Sequence, residues 1–187
     1  VWAGTGQGLN RIEERGKPRI DRYVRHMTVM CLDTDGQGNL WLGTRESGLV
    51  ILKTNVFSTF LPEKEPHMNY FRGVFQDRAG NIWAGSRYGK LYRFNRGKLL
   101  EVPLSREIFD NHIFIMAQDA GGNLLLGTEF KGLFRLKTAQ TVFSRPNTHT
   151  PLTPEPVTAG GEPVTGTITG LLYDSKDRLW VGWLNRG

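Results

Sequence analysis

The hydrophobic residues of this chain occur in short runs that Gly, Asp, Asn and Pro separate. Between residues 27 and 60 four such runs follow one another, at 27–32, 39–44, 49–53 and 56–60. The runs are rich in Val, Ile, Leu, Phe, Trp and Thr, which are typical of strands. No window long enough for a helix has apolar residues at i, i+3, i+4 and i+7 without a Gly or Asp interrupting it. The pattern therefore predicts short β-strands and no long helix.

One ten-residue pattern, Asp-x-x-Gly-Asn-Leu-Trp-x-Gly-Thr, recurs along the chain. Four copies begin at Asp35, Asp77, Asp119 and Asp174, and residues 1–5 are the end of a fifth. The aligned Trp positions are 39, 42, 42 and 55 residues apart, and four strands per such period are typical of one propeller blade. We therefore predict an all-β fold, a β-propeller of four-stranded antiparallel blades that is incomplete here. The predicted repeat units span about 1–23, 24–62, 63–104, 105–145 and 164–187, with a Pro- and Thr-rich insertion at 144–166.

The residues of the repeated pattern have structural explanations. The Asp lies where the first strand of a unit turns into the second, and its carboxylate can accept from backbone N–H groups two residues on, while the following Gly supplies a positive φ. The Trp is large enough to fill the gap between blades, and the Gly two residues later leaves room for a neighbour's side chain. These predicted structural positions are Asp35, Gly38, Trp41, Gly43, Asp77, Gly80, Trp83, Gly85, Asp119, Gly122, Gly127, Asp174, Trp180 and Gly182.

The repeats resemble the two-component regulator propeller repeat. The second half of that repeat, a Gly-Leu pair followed by an aromatic or basic strand, is present at 8–11, 48–51 and 132–135, and in a variant form at 89–93. The resemblance covers nearly the whole chain except residues 144–166. The chain departs from the pattern at Leu125, which replaces the Trp, at Asp177, which replaces the turn Gly, and at Trp183, which replaces the Thr.

The resemblance implies a non-catalytic sensor propeller in the periplasm of a bacterium, as part of a membrane-anchored signalling protein with a kinase, cyclase or other output domain. It implies two kinds of partner: the remaining blades of the same parent chain, and an extracytoplasmic ligand that is a small molecule, a carbohydrate or a protein. We expect no cofactor. We expect contact with a membrane only through the parent protein, because the sequence has no run of 18 apolar residues.

Charge changes this interpretation little. The formal net charge is +6, and the basic residues are most frequent between residues 11 and 25, where Glu13, Glu14 and Asp21 interrupt them. An interrupted run of this kind is typical of a solvated surface, so we expect no nucleic-acid partner.

The topology of a four-stranded blade predicts where a ligand site lies. The loop between the second and third strands opens on the same face as the connection into the next blade, and the Asp turns lie on the opposite face. Exposed aromatic, His and Arg residues on a rigid scaffold suit recognition. The candidate ligand-binding residues are Arg45, Glu46, His67, Asn69, Tyr70, Arg87, Tyr88, Asn111, His112, Glu129, Phe130 and Lys131. The insertion at 144–166 leads to the same face, and the sequence leaves open whether it folds over the channel mouth or extends into solvent.

Three alternatives remain beside the sensor interpretation. His26, His67 and His112 suggest a metal site, but their spacing differs from one repeat to the next and we expect no metal. A propeller lyase of the streptogramin-inactivating kind would need a His base near a divalent metal and a Glu, and no matched set stands out in the sequence. A plain protein-interaction propeller is the third alternative, although the Gly-His and Trp-Asp dipeptides of the WD repeat are absent.

Overall fold

The computed structural model describes residues 1–13, 19–53, 56–108, 110–137 and 151–184. These residues form five successive antiparallel sheets, here called blades 1 to 5, and one small hairpin between blades 4 and 5. Blade 1 consists of β1 (Trp2–Thr5), β2 (Gly8–Glu13) and β3 (Arg19–Arg25). Blade 2 consists of β4 (Val29–Thr34), β5 (Leu40–Thr44), β6 (Leu49–Lys53) and β7 (Val56–Phe60). Blade 3 consists of β8 (Phe71–Gln76), β9 (Ile82–Ser86), β10 (Leu91–Asn95) and β11 (Lys98–Val102).

The second half of the chain continues the same arrangement. Blade 4 consists of β12 (Ile113–Gln118), β13 (Leu124–Thr128), β14 (Leu133–Leu136) and β15 (Glu155–Pro156). The hairpin is β16 (Thr158–Ala159) with β17 (Glu162–Pro163), and blade 5 is β18 (Ile168–Tyr173) with β19 (Leu179–Trp183). Within the described ranges the one helix is a single 3-10 turn at Arg106–Ile108. The prediction of an all-β chain built from consecutive four-stranded antiparallel units is confirmed.

The packing between blades follows the pattern of Trp and Gly. Trp83 is 1 % exposed and lies in a core with Ile113 and Met116 of blade 4, and Trp41 is buried against blade 3 in the same way. A Cβ added at Gly85 would lie 2.6 Å from Cγ2 of Ile113, so a larger residue there would overlap the neighbouring blade. The predicted roles of the Trp and of the Gly two residues later are therefore confirmed in blades 2 and 3.

The signature Trp of blade 5 is not buried as it is in blades 2 and 3. Trp180 occupies the same position in the repeat as Trp83, yet it is 57 % exposed, because no later blade is present among the described residues to cover it. The structure is accordingly an incomplete propeller, as the sequence predicts.

Each Asp turn is a small hydrogen-bonded network. In blade 3, Oδ1 of Asp77 accepts from the backbone N–H groups of Ala79 and Asn81, and the Asn81 amide donates to Oδ2 at 2.8 Å. Gly80 has φ +83°, so the expected left-handed turn position is present. The indole N–H of Trp83 also donates to Oδ2 of Asp77, at 2.9 Å. The repeat pattern therefore links its Asp to its Trp directly, which the sequence analysis did not anticipate.

Blade 4 keeps the carboxylate but lacks the indole. Leu125 replaces the Trp and is fully buried, and it pairs across strands with Arg135 of β14. The Nε atom of Arg135 lies 3.1 Å from Oδ2 of Asp119. The arginine therefore occupies the place that the indole N–H takes in blades 2, 3 and 5.

The insertion predicted at 144–166 differs from expectation in its described part, residues 151–166. Glu155–Pro156 forms the fourth strand of blade 4 and pairs with Phe134 and Arg135, so part of the segment belongs to a sheet. Leu152 exchanges backbone hydrogen bonds with the 103–105 segment at 2.8 Å and packs against the core between blades 3 and 4. Its backbone groups are satisfied by these bonds, which is why a Pro-rich segment lies along the blades here. Residues 144–150 lie outside the described residues.

Candidate functional site

A repeated backbone hydrogen bond fixes the loops and the connections on one face of the blades. The first residue after β5, Arg45, donates from its N–H to the carbonyl of Thr28 at 3.0 Å. The same bond joins Arg87 to Tyr70 at 2.9 Å and Glu129 to the carbonyl of His112 at 3.0 Å. In each case a residue of the loop is tied to the residue before the first strand of its own blade. We call this surface the loop face.

Three arginines converge on one tyrosine on the loop face. The guanidinium carbons of Arg45, Arg72 and Arg87 lie 5.7, 5.6 and 5.5 Å from the ring centroid of Tyr70. Arg72 lies also over the ring of Phe114, at 4.2 Å from its centroid. These five residues, here called the arginine cluster, come from blades 2, 3 and 4 or from the connections between them. The interface between consecutive blades therefore assembles a group that no single repeat contains.

His112 joins the arginine cluster to Glu129. The Nε–H of Arg87 donates to Nε2 of His112 at 3.3 Å, and Nδ1 of His112 lies 2.5 Å from Oε2 of Glu129. The side chains of His112 and Glu129 are 17 % and 21 % exposed. Because Nε2 accepts from an arginine, these partners assign the imidazole proton to Nδ1, which faces the carboxylate.

The surroundings of His112 favour its neutral form. Burial lowers its pKa most, the Glu129 carboxylate opposes this, and the nearby Arg72 and Arg87 lower the pKa further. Asp110 opposes them to a smaller extent, and the net pKa lies below the ordinary value of 6.5. His112 is therefore uncharged near pH 7 and adds no positive charge to the three arginines.

Two asparagines hold the loops around this group. Asn111 is buried and accepts from the backbone N–H of Phe130 at 3.0 Å, and Asn69 donates from its amide to the carbonyl of Glu46 at 2.7 Å. Phe130 lies near His112, with 6.4 Å between ring centroids, and is 68 % exposed. The asparagines thus support the loops, while Phe130 presents an apolar surface beside the arginine cluster.

The structure brings together most, but not all, of the candidate residues. Arg45, Tyr70, Arg87, His112 and Glu129 are in contact as described. Lys131 instead donates to the carbonyl of Glu107 at 2.8 Å. Across the described part of the chain, no hydrogen bond, ion pair or ring contact joins the side chains of His67 and Tyr88 to the arginine cluster.

Sequence reasoning missed Arg72 and Phe114. Each follows the buried residue that begins the first strand of its blade, Phe71 or Ile113, and side chains alternate between faces along a strand. The signal was therefore present: a polar or aromatic residue directly after the apolar residue that lies six positions before the repeat Asp.

The histidines do not gather at one place. His26 lines a cavity of about 670 Å³ together with Thr5, Asn10 and Arg22 of blade 1. His112, in contrast, lies beside Arg87 of the arginine cluster. Among the described residues, no group of three or more His, Cys, Asp or Glu side chains has the arrangement of a metal site. None of the helices in the described ranges is long and apolar enough to cross a membrane.

Solved structures similar to this chain include extracellular domains and an enzyme. The chain is similar to the extracellular domain of the hybrid two-component system protein BT4673 of B. thetaiotaomicron, with a TM-score of 0.75 and 19 % identity over 97 % of this chain. The corresponding domain of BT3049 from the same organism matches with a TM-score of 0.70 and 19 % identity over 97 % of this chain. The chain has the β-propeller fold. This fold is the one implied by the resemblance of the repeats to the two-component regulator propeller repeat, and that resemblance is confirmed.

The same propeller fold is found in an enzyme. Virginiamycin B lyase from Staphylococcus aureus matches with a TM-score of 0.70 and 16 % identity over 97 % of this chain and 58 % of its own. This chain spans 24 % of the BT4673 domain and 23 % of the BT3049 domain. No protein-family model and no curated protein sequence matches the chain.

Proposed function

We propose that this chain is a recognition segment of a sensor propeller, and that its loop face binds the ligand or partner that the sensor detects. The observation that carries the proposal is the arginine cluster, in which arginines of blades 2 and 3 converge on Tyr70 and Arg72 also lies over Phe114 of blade 4. A cluster of Arg and aromatic residues on a rigid scaffold is the composition that dominates recognition energy in protein interfaces.

The comparisons support the sensor part of this proposal. The matching structures BT4673 and BT3049 are extracellular domains of hybrid two-component systems, and their blades superimpose on this chain. By analogy of fold, the parent of this chain is a membrane-anchored bacterial signalling protein with this segment in the periplasm. The propeller itself is not an enzyme in this proposal, and its partners are an extracytoplasmic ligand and the remaining blades of the parent chain.

In this proposal the twelve candidate residues have different roles. Arg45, Tyr70, Arg87, His112 and Phe130 contact the ligand, and Asn69 and Asn111 hold the loops. Glu46 and Glu129 border the site, and His67, Tyr88 and Lys131 lie around it.

A triple substitution in the full-length protein tests the recognition face. We expect Arg87→Ala with Tyr88→Ala and Phe130→Ala to abolish or strongly reduce the signalling response, because truncation of a buried Arg or aromatic hot spot costs about 2 kcal/mol or more of binding energy. A matched control is Arg19→Ala with Ile20→Ala on the outer strand β3, where both residues are exposed. Circular dichroism verifies that each variant is folded. A normal response in the folded triple variant would contradict the proposal.

A propeller lyase is the second candidate, and one contact favours it. His112 and Glu129 are paired at 2.5 Å on the loop face, which is the arrangement of a general base and the group that orients it. The test is to incubate the protein with quinupristin and divalent cations, and to follow the substrate by liquid chromatography. Conversion that depends on His112 would establish the lyase and overturn the non-enzymatic proposal.

A further inference from the structure

We propose that Arg45, Arg72 and Arg87 together bind an anionic group, a carboxylate, sulfate or phosphate, of a small organic ligand. This inference rests on the recognition function proposed above and specifies the chemistry of the ligand. It follows from the charges around Tyr70, from the position of the three guanidinium groups beside aromatic rings and from the apolar surface beside them.

The positive charges of the arginine cluster are not matched by carboxylates. Among the described residues, neither Arg72 nor Arg87 forms an ion pair. Arg45 has Glu46 at 3.9 Å, but that carboxylate is 81 % exposed and belongs to the adjacent residue. Like charges that share one ring repel each other, and this repulsion is relieved when an anion lies among them.

Glu129, which lies on the other side of His112 from Arg87, already has a partner. Glu129 lies against Nδ1 of His112, and His112 stands between it and Arg87. The histidine is neutral for the reasons given above, so Glu129 keeps its negative charge, which offsets at most one of the three guanidinium charges and forms no ion pair with an arginine of the described residues. Lys131, the remaining cation of these loops, donates to the carbonyl of Glu107 and lies apart.

The guanidinium groups are held by aromatic rings. Arg72 lies over Phe114 at 4.2 Å and near Tyr70 at 5.6 Å, and Arg87 is fixed by Tyr70 and by its bond to His112. An arginine held over a ring keeps the N–H groups at its planar edge available, and these edges match the two oxygens of a carboxylate, sulfate or phosphate. Because the rings hold the side chains in place, little rotamer entropy is lost when the anion binds.

The body of the ligand has an apolar surface to contact. Phe130 is 68 % exposed next to His112, and its backbone is held by the buried Asn111. A ring or short apolar framework that carries the anionic group would cover Phe130 while its charge lies among the arginines. We therefore assign the site to an organic anion and not to a neutral ligand.

The test measures binding of simple probes to the purified protein by isothermal titration calorimetry at constant ionic strength. The probes are benzoate, sulfate and the neutral benzyl alcohol, which matches benzoate in size. We expect saturable binding of benzoate, weaker binding of sulfate because it lacks the ring, and no saturable binding of benzyl alcohol. Arg72→Gln and Arg87→Gln should each weaken benzoate binding about tenfold or more, the effect of one charge-assisted hydrogen bond. Raising the salt concentration should weaken binding further, since part of the arginine cluster is exposed.

Two further variants make the result specific. Arg19→Gln removes the same charge from the exposed outer strand β3 and should leave benzoate affinity within about twofold of the parent, because it lies far from the loop face. Arg45→Gln alters an exposed side chain, so it tests the site even if Arg72→Gln impairs folding. Absence of anion binding, equal binding of benzyl alcohol and benzoate, or an equal loss in Arg19→Gln and the cluster variants would each overturn the assignment.

The two proposals fail in different ways. Loss of signalling in the Arg87, Tyr88 and Phe130 triple variant, with no anion binding to the parent protein, would keep the recognition face and reject the anionic ligand. Benzoate binding that depends on Arg72, with normal signalling by the triple variant, would keep the anion site and reject its role in sensing.

Discussion

Trp83 and Trp180 occupy the same position in the repeat but should contribute very differently to stability. Each indole N–H donates to the repeat carboxylate at 2.9 Å, Trp83 to Asp77 and Trp180 to Asp174. Trp83 is 1 % exposed between blades 3 and 4, and Trp180 is 57 % exposed on blade 5. Comparing substitutions of the two residues therefore separates the contribution of burial between blades from the contribution of the hydrogen bond.

The burial dominates the expected magnitudes. Truncation of a fully buried Trp to Ala removes its packing and leaves a cavity, which costs about 3–5 kcal/mol of unfolding free energy. Trp83→Ala also leaves the largely buried Asp77 without one donor, so the upper part of this range is expected. Trp180→Ala removes the same donor from Asp174, which Arg178 also contacts, and removes little buried area, so it should cost about 1 kcal/mol or less. Trp83→Phe keeps a ring in the core but loses the N–H, for which we expect about 1.5–3 kcal/mol.

Urea unfolding of the 187-residue chain followed by circular dichroism measures these differences. For a chain of this size, 3–5 kcal/mol corresponds to a fall in Tm of about 6–20 °C, so thermal unfolding gives a second measurement. Equal losses in Trp83→Ala and Trp180→Ala would refute the reasoning, because the two residues would then be stabilised by the hydrogen bond alone. A Trp83→Ala variant as stable as the parent would show that blades 3 and 4 do not pack as described.

Three further predictions concern other contacts. Gly85→Val should destabilise the chain by about 1–3 kcal/mol, because its Cβ would lie 2.6 Å from Ile113 Cγ2, whereas Gly182→Val, whose nearest neighbours are backbone atoms of Gly170 at 3.4 Å, should cost less. Arg135→Ala should cost about 1–3 kcal/mol by removing the cation beside the largely buried Asp119, and the exposed Lys137→Ala should cost about 1 kcal/mol or less; urea unfolding measures all four. Because the folded-state pKa of His112 is below 6.5, the unfolded chain binds its proton first as the pH falls below about 6.5, so the native state loses stability there, and His112→Gln should reduce this loss between pH 7.5 and 5.

Each of these predictions has an outcome that would contradict it. Gly85→Val and Gly182→Val with equal stability would mean that the next blade does not approach Gly85. An unchanged Arg135→Ala variant would mean that Asp119 is satisfied by Asn123 and the backbone without a cation. A His112→Gln variant with the same pH dependence as the parent would assign the acid-induced loss to other groups.

The strands and turns of the fold were predictable because they depend on local sequence. Alternating hydrophobicity and the Asp-x-x-Gly turn chemistry act within a few residues, and the predicted ranges 49–53 and 56–60 agree with β6 and β7. The fourth strand of blade 4 was not predictable, because Glu155–Pro156 is two residues long and follows the preceding strand at a distance. The link between Asp77 and Trp83 was missed for a different reason: a spacing of six carries no signal until the turn brings the two side chains together.

The candidate site was predictable only in part, because it lies between repeats. The topology of a four-stranded blade predicted that the loops and the connections share one face, and it therefore placed Arg45, Tyr70, Arg87 and His112 on that face. Arg72 and Phe114 were not among the candidates, although alternation along β8 and β12 places every second side chain on the other face. Which loop residues contact one another depends on the relative position of adjacent blades, and no pattern within one repeat determines that position.

Charged side chains are compensated on the face of the Asp turns, here called the turn face, and much less so on the loop face. This contrast is the strongest reason to assign recognition to the loop face. On the turn face, the carboxylate of each complete repeat is satisfied within its own blade, by backbone N–H groups, an Asn and either an indole or, in blade 4, Arg135. On the loop face, arginines from adjacent blades meet over Tyr70, and among the described residues Arg72 and Arg87 form no ion pair. Placing three guanidinium groups around one ring brings like charges together, and this repulsion adds nothing to the stability of the fold. Arg72 and Arg87 are therefore better explained by a ligand that supplies the missing negative charge than by a role in stability, and substitutions there should reduce binding much more than they reduce the free energy of unfolding.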